Sequence, residues 1–299
     1  MMKLRAGILL VLAAAAATAA GPAAASAEAE AAPAASVSAP APITSPAASA
    51  SASASSARCI PIRVGYMDQN RPPYWLGEGD KVPDPPGAAV DLIRDAVLGS
   101  GFGCAPIWVR LPVARLKVAL TNGDIDLAPL SEQSFYPAEI ALPKDKVGNI
   151  DLERALHNKV LVLVRAKDKL PASTNPMQYF RGKTLGIPQG NGYAARLREA
   201  GLTLDEGGRD LDRNIEKLKL GRVEGVVVAA VAPAHLKETL DKYKGEVVQL
   251  PQPLLNIRVW LAFNDNFYRA HTPQSEALWT WLDKNRGRLG YVMQKYRKE

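Results

Sequence analysis

Leu120-Thr-Asn-Gly-Asp-Ile-Asp126 has a counterpart further along the chain in Leu218-Lys-Leu-Gly-Arg-Val-Glu224, and both follow the pattern L-x-x-G-x-[I/V]-[D/E]. An amphipathic helical stretch precedes each phrase. A short apolar run follows each, Ile125-Asp-Leu-Ala128 in the first case and Val226-Val-Val228 in the second. The glycine has the same physical reason in both places. A helix closing at its C-terminus commonly needs a residue in the left-handed region, which glycine enters without a steric penalty. One such turn would be commonplace; two in matching context argue for two similarly built α/β lobes with something enclosed between them.

Working outward from the first phrase, residues 60–66 alternate into a strand that breaks into the loop Asp68-Gln-Asn-Arg-Pro-Pro-Tyr-Trp75. The Gly- and Pro-rich stretch 77–87 reads as a turn or short hairpin. Ala89, Leu92, Ile93, Ala96 and Val97 fall at helical spacing, with Gly99 ending the helix. A strand over 107–110, a helix over 113–121 and a strand over 125–127 complete a βαβαβ series, which implies a parallel sheet with helices on its faces. After a loop, Val160-Leu-Val-Leu-Val164 reads as a fully buried strand. A second series follows: strand 184–187, helices 193–200 and 214–220, strand 226–228, helix 233–243, and strands 246–249 and 257–263. Two helices end the chain, with Trp279 and Trp281 read as packing residues rather than a ligand box.

The flanking composition bounds the class. Lys3 and Arg5, the apolar run 7–20 and the small-residue site Ala25-Ser-Ala27 have the form of an export signal over 1–27. That run is shorter than the roughly 20 apolar residues a membrane span needs. Residues 28–57 are nearly all Ala, Ser and Pro and read as a disordered tether, since they offer too little apolar surface to offset ordering entropy. Only two of the 37 Lys and Arg and two of the 30 Asp and Glu precede residue 58, so the net charge of +7 belongs to the core. Its cations are scattered among acids, as in Arg209-Asp-Leu-Asp-Arg213, with no basic run interleaved with aromatics. Nucleic acid is therefore excluded as a partner.

Cys59 precedes the first strand and Cys104 the second. Parallel neighbours in a βαβ unit enter the sheet from the same edge, which brings the two Cα atoms within bridging range. In an oxidising compartment a Cys59–Cys104 disulfide is expected, contributing about 4 kcal/mol in the chain-entropy model.

Taken together, several phrases resemble the extracellular solute-binding proteins of family 3, which serve polar amino acid and related ABC importers. They are Pro72-Pro73-Tyr74, Gly87-Ala-Ala-Val-Asp91-Leu92, Leu120-x-x-Gly123-x-Ile-Asp126, Phe180-Arg-Gly182-Lys-Thr-Leu-Gly186-Ile with Gly190 after it, and Leu289 to Tyr296. The resemblance covers about 58–299. It implies an α/β fold of the type II periplasmic binding protein kind, with two lobes joined by two crossing segments. Each lobe would be a mostly parallel sheet flanked by helices, lobe one over 58–157 plus 256–299 and lobe two over 158–255. Amino-acid-binding members carry an Arg after the third strand for the α-carboxylate, yet Leu130 to Glu139 contains none. They also carry an Asp at the end of the lobe-two strand for the α-ammonium, where this chain has Val226-Val-Val-Ala229-Ala230. An ordinary α-amino acid would thus leave buried charges unpaired, at a cost of several kcal/mol.

Ligands of open α/β sheets sit beyond the carboxyl ends of the strands. That rule selects Asn70, Arg71, Tyr74 and Trp75 after strand one, Arg115 after strand two, and Ser131 and Gln133 (with Glu132) after strand three. In lobe two it selects the loop Gln189-Gly190-Asn191-Gly192-Tyr193, whose backbone N–H groups at a helix N-terminus suit an anion. Arg71 and Arg115 are candidates to replace the missing carboxylate Arg. Of Tyr74 and Trp75, one is expected to plug its lobe. His157, His235 and His271 have no metal-ligand spacing, no nucleophile motif occurs, and no catalytic residue, metal or cofactor is expected.

The reading is an exported, monomeric, periplasmic binding protein that takes a small organic solute to an ABC-type importer or a sensor. Two rivals stay open: a dehydratase-like enzyme using Glu132, and an accessory protein of an exported redox system.

Overall fold

The computed structural model describes residues 59–132 and 136–296. The expected signal segment, the tether and Gln133 lie outside the described residues.

The first series runs β1 (Arg63–Met67), α1 (Ala88–Gly99), β2 (Ile107–Leu111), α2 (Val113–Asn122), β3 (Leu127–Ser131) and the two-residue β4 (Ile140–Ala141). The ten-residue β5 (Leu156–Arg165) leads to the second series: α3 (Pro176–Tyr179), β6 (Thr184–Pro188), α4 (Ala194–Glu199), β7 (Thr203–Gly208), α5 (Leu211–Lys219), β8 (Gly225–Ala230), α6 (Lys237–Lys242) and β9 (Val247–Gln249). The equally long β10 (Leu255–Asn264) returns, and α7 (Asp265–Ala270), α8 (Thr272–Lys284) and α9 (Arg288–Gln294) close the described chain.

Strand order exposes the duplication. One half pairs as β2-β1-β3-β10 with β4 on β10; the other pairs as β7-β6-β8-β5 with β9 on β5. Within each half the first three strands are parallel, and the strand from the other series joins them antiparallel. Leu255 to Val259 of β10 also pair with Leu156 to Val160 of β5. The two crossing segments are therefore themselves a strand pair, and the hydrogen-bonded path runs unbroken through both lobes. Helices cover both faces of each half. Phe102, Phe263 and Trp279 pack under α1 and α8, and Leu120, Ile125 and Trp260 under α2. Phe180, Leu185 and Leu197 form one core of the second half, and Leu163, Ile215 and Val226 the other.

The repeated phrase makes the same contacts twice. Gly123 and Gly221 follow their helices with φ 77° and 72°. The Asp126 N–H donates to Arg63 O (2.8 Å), and its carboxylate accepts the Arg63 N–H (2.7 Å). The Glu224 N–H donates to Thr184 O (2.9 Å), and its carboxylate accepts the Thr184 N–H (2.8 Å). The phrase thus ends in an acid because an acid there closes a reciprocal pair with the first residue of the first strand.

Several elements differ from expectation. The stretch 77–87 forms no hairpin; it is held as an irregular loop by buried Arg110, which donates to Gly77 O (2.6 Å) and Lys81 O (2.7 Å). The helix expected over 214–220 begins at Leu211, because the Asp210 side chain caps it by accepting the Arg213 N–H. The helix expected over 233–243 is a 3-10 turn, Pro233–Leu236, followed by α6. Three C-terminal helices replace the two expected. Strand β7 was not anticipated at all. The Cys59–Cys104 disulfide is formed, with Cα atoms 5.2 Å apart.

Candidate functional site

The loop after β1 is shaped from below. Asn70 is exposed, and its Oδ1 accepts the Gly77 N–H (3.1 Å), so it holds a turn. Trp75 stacks on Tyr66 with ring centroids 5.3 Å apart and belongs to the packing of its own lobe. Arg71 and Tyr74 project the other way and meet the second half.

Tyr74 spans the gap. Its Oη accepts the Val231 N–H (2.9 Å) and also meets His235 Nδ1, both residues of the segment after β8. The hydroxyl can donate to Nδ1 or accept from it, according to the His235 tautomer. Burial first of all pushes the Tyr74 hydroxyl up to about 12, against the hydrogen bond from Val231 and the charge of Arg71. Beside it, Arg209 after β7 donates to Asp68 Oδ2 (2.8 Å), a carboxylate with 8% of its side chain exposed. At the far end Glu132 takes Arg258 of β10 (3.2 Å) and Arg196 of α4 (3.4 Å). The backbones touch as well: a Cβ on Gly190, whose φ is 78°, would lie 2.7 Å from Ala114 N. Only a glycine lets this loop reach α2.

Four polar atoms at these rims are buried without a hydrogen-bond partner among the described residues: Asp68 Oδ1, Arg71 Nη2, Arg258 Nε and Tyr193 Oη. Tyr193 is 2% exposed and opens α4. Burial raises its pKa and the adjacent Arg71 guanidinium pulls it back, although the geometry closes no hydrogen bond between them. A gap of about 250 Å³ lies nearby, lined by Asn70 and Pro72 from the first half and by Leu211, Asp212, Glu238, Thr239 and Lys242 from the second.

Of the residues expected from sequence, Arg71, Tyr74, Gly190 and Tyr193 come together across the two halves. Asn191 instead turns its amide onto Pro188 O (2.9 Å), and Gln189, Gly192 and Arg115 are exposed. Ser131 is half-buried, and its carbonyl accepts the Tyr136 hydroxyl (2.9 Å). Helix α4 is only six residues long, so its dipole adds little to the loop. Asp68, Arg196, Arg209 and His235 were missed. Arg209 follows β7 and His235 follows β8; the carboxyl-end rule applied to the expected strand 226–228 selects His235, and it selects Arg209 only once β7 is seen. Among the described residues no cluster of three His, Cys, Asp or Glu could hold a metal, and no helix is long and apolar enough to cross a membrane.

No protein-family model matches the sequence, and no curated protein matches it. Solved structures do match in shape. AbpA, an amino acid ABC transporter substrate-binding protein of Streptococcus pneumoniae bound to L-arginine, is 14% identical, with TM-score 0.59 over 80% of this chain and 97% of its own. ArgBP of T. maritima is 16% identical, with TM-score 0.58 over 79% of this chain and 94% of its own. The GluR0 ligand-binding core of Nostoc punctiforme in complex with L-glutamate is 19% identical, with TM-score 0.57 over 79% and 98%. The chain has the two-lobed α/β fold of the type II periplasmic binding proteins, in a divergent form.

Proposed function

We propose that the protein is an exported, periplasmic solute-binding protein that holds a small organic ligand between two lobes. The lobes are 58–157 plus 256–299 and 158–255, with β5 and β10 as the hinge. The observation that carries this reading is the set of buried, unpartnered polar atoms on facing rims: Asp68 Oδ1, Arg71 Nη2 and Arg258 Nε from one lobe, Tyr193 Oη from the other. Buried polar groups are nearly always paired, so such a set marks where a polar guest completes the bonding. The contact set is Arg71, Tyr74, Gly190 and Tyr193, with Ser131 and Arg115 at its margin. Closure is a population shift, because a ligand that touches both rims binds only the closed form well. The shape shared with AbpA, an amino acid ABC transporter substrate-binding protein, supports delivery to an ABC-type importer, with a sensor as the other destination.

The L-arginine and L-glutamate of those neighbours do not transfer. No Arg follows β3 between Leu130 and Glu139, and β8 ends in Ala229-Ala230 without an acid. Glu132 is taken up by Arg196 and Arg258, which argues against its use as a free acid–base group and so against an enzyme.

The direct rim contacts through Tyr74 favour one second reading, an accessory protein whose closed lobes present a surface to a partner. Native mass spectrometry of gently released protein separates the two. A non-covalent small-molecule adduct supports solute binding. A bare chain that co-elutes with a second protein supports the accessory role and contradicts the binding reading.

A further inference from the structure

The charges on the two rims do not balance. Asp68 is compensated by Arg209, and Glu132 faces two guanidiniums, Arg196 and Arg258. Arg71 has no carboxylate partner among the described residues, and its Nη2 is buried without a hydrogen bond. The facing surfaces therefore hold more cationic than anionic groups. The Arg71 guanidinium lies beside Tyr193, a residue 2% exposed whose hydroxyl is also unpartnered.

A guanidinium whose free N–H meets a buried hydroxyl suits a carboxylate, which accepts from both at once. Among the other orphans, Asp68 Oδ1 belongs to a carboxylate already neutralised on its other oxygen by Arg209. It offers an acceptor without a spare negative charge, which matches a neutral hydroxyl better than an ammonium. We propose that the ligand is a small carboxylate lacking an α-ammonium group, clamped by Arg71 from the loop after β1 and Tyr193 from lobe two. This deepens the binding reading and rests on it. The clamp differs in origin from the one the resemblance led one to look for after β3. It pairs a side chain of the first loop with one of the second lobe, which reach each other only when the rims meet.

The test is a thermal-shift panel on the full chain, with three chemical classes at equal concentration. They are small carboxylates (lactate, malate, succinate), their neutral amides, and α-amino acids including L-arginine and L-glutamate. The expected result is a rise in Tm of about 5 °C from at least one carboxylate at saturation, with none from its amide or from the amino acids. Calorimetry on Arg71→Gln and Tyr193→Phe then shows that carboxylate bound about 10- to 100-fold and several-fold more weakly, respectively. Arg71→Lys keeps the charge without the fork, and its intermediate affinity separates loss of a contact from loss of the fold. An equal shift from the amide, or undiminished affinity in Arg71→Gln, overturns the anion assignment, and an equal shift from an amino acid overturns the exclusion of an α-ammonium group; each leaves the binding reading intact. No shift from any class overturns both.

Discussion

In the first half Asp126 returns to the start of β1, and in the second Glu224 returns to the start of β6, each by the same reciprocal pair of backbone contacts. Beyond those anchors the halves diverge. The loop after β1 runs from Asp68 to Gly87 and supplies Arg71, Tyr74 and the carboxylate of Asp68, whereas the loop after β6 is a brief turn through Gly190. Asp126 is also bound by the Arg63 side chain through Nε (3.0 Å) and Nη2, which Thr184 cannot do for Glu224. The first half further carries the disulfide. The difference teaches that the repeated phrase builds the frame twice, while the rims that would recognise a ligand are built separately on each copy.

Four perturbations probe that comparison. The largest effect is expected from Cys59→Ser with Cys104→Ser, which removes a link closing a loop of 45 residues from the first half alone. Urea unfolding should show a loss of about 4 kcal/mol, and hydrogen exchange should place the early opening in the first half. Next, Asp126→Ala strands a backbone N–H and a guanidinium and is expected to cost about 2–3 kcal/mol, while Glu224→Ala strands one N–H and costs about 1–2 kcal/mol. The Arg63 guanidinium is half-exposed, so solvent takes up part of its loss and holds the gap to about 1 kcal/mol. Equal losses would mean that the frame, not the extra Arg63 contacts, sets the value.

Gly123→Ala and Gly221→Ala should each cost about 1 kcal/mol, with similar values, since both residues sit in the left-handed region. The smallest effect is on pH dependence. The folded pKa of Tyr74 is pushed up to about 12, above its ordinary value of 10. The native state then holds a proton that the unfolded chain loses, so stability is full below pH 10 and declines as pH rises towards 12. Tyr74→Phe should lose less stability across that window than the wild type in parallel alkaline denaturant titrations. Identical slopes would place Tyr74 outside the cross-rim contact.

How much of this was legible follows the same division. The frame shows in the sequence because helix closure and the acid sit within seven residues and the buried strand starts at the next one, a span short enough to leave a pattern. β5 and β10 show as apolar runs because both faces are covered. β7 does not show: Thr203-Leu-Asp-Glu-Gly-Gly208 is a half-exposed edge strand with acids and glycines and no alternation. Losing β7 hid Arg209, and with it the partner of Asp68, which lies 141 residues away in sequence. Tyr74 could be singled out by its place after β1, but its reach to Val231 and His235 depends on how the lobes meet, which no local spacing encodes.

The central claim is that two cognate lobes hinge on β5 and β10 and meet through side chains that can part. Both cysteines are in the disulfide, so spin labels can be placed on introduced cysteines at Val118 of α2 and Glu199 of α4, exposed positions on the two helices beside the Ala114–Gly190 contact. Pulsed dipolar spectroscopy should give a longer and broader separation once Tyr74→Ala and Arg209→Ala cut the contacts between the rims. A single narrow distance, the same with those contacts present or removed, would contradict the account.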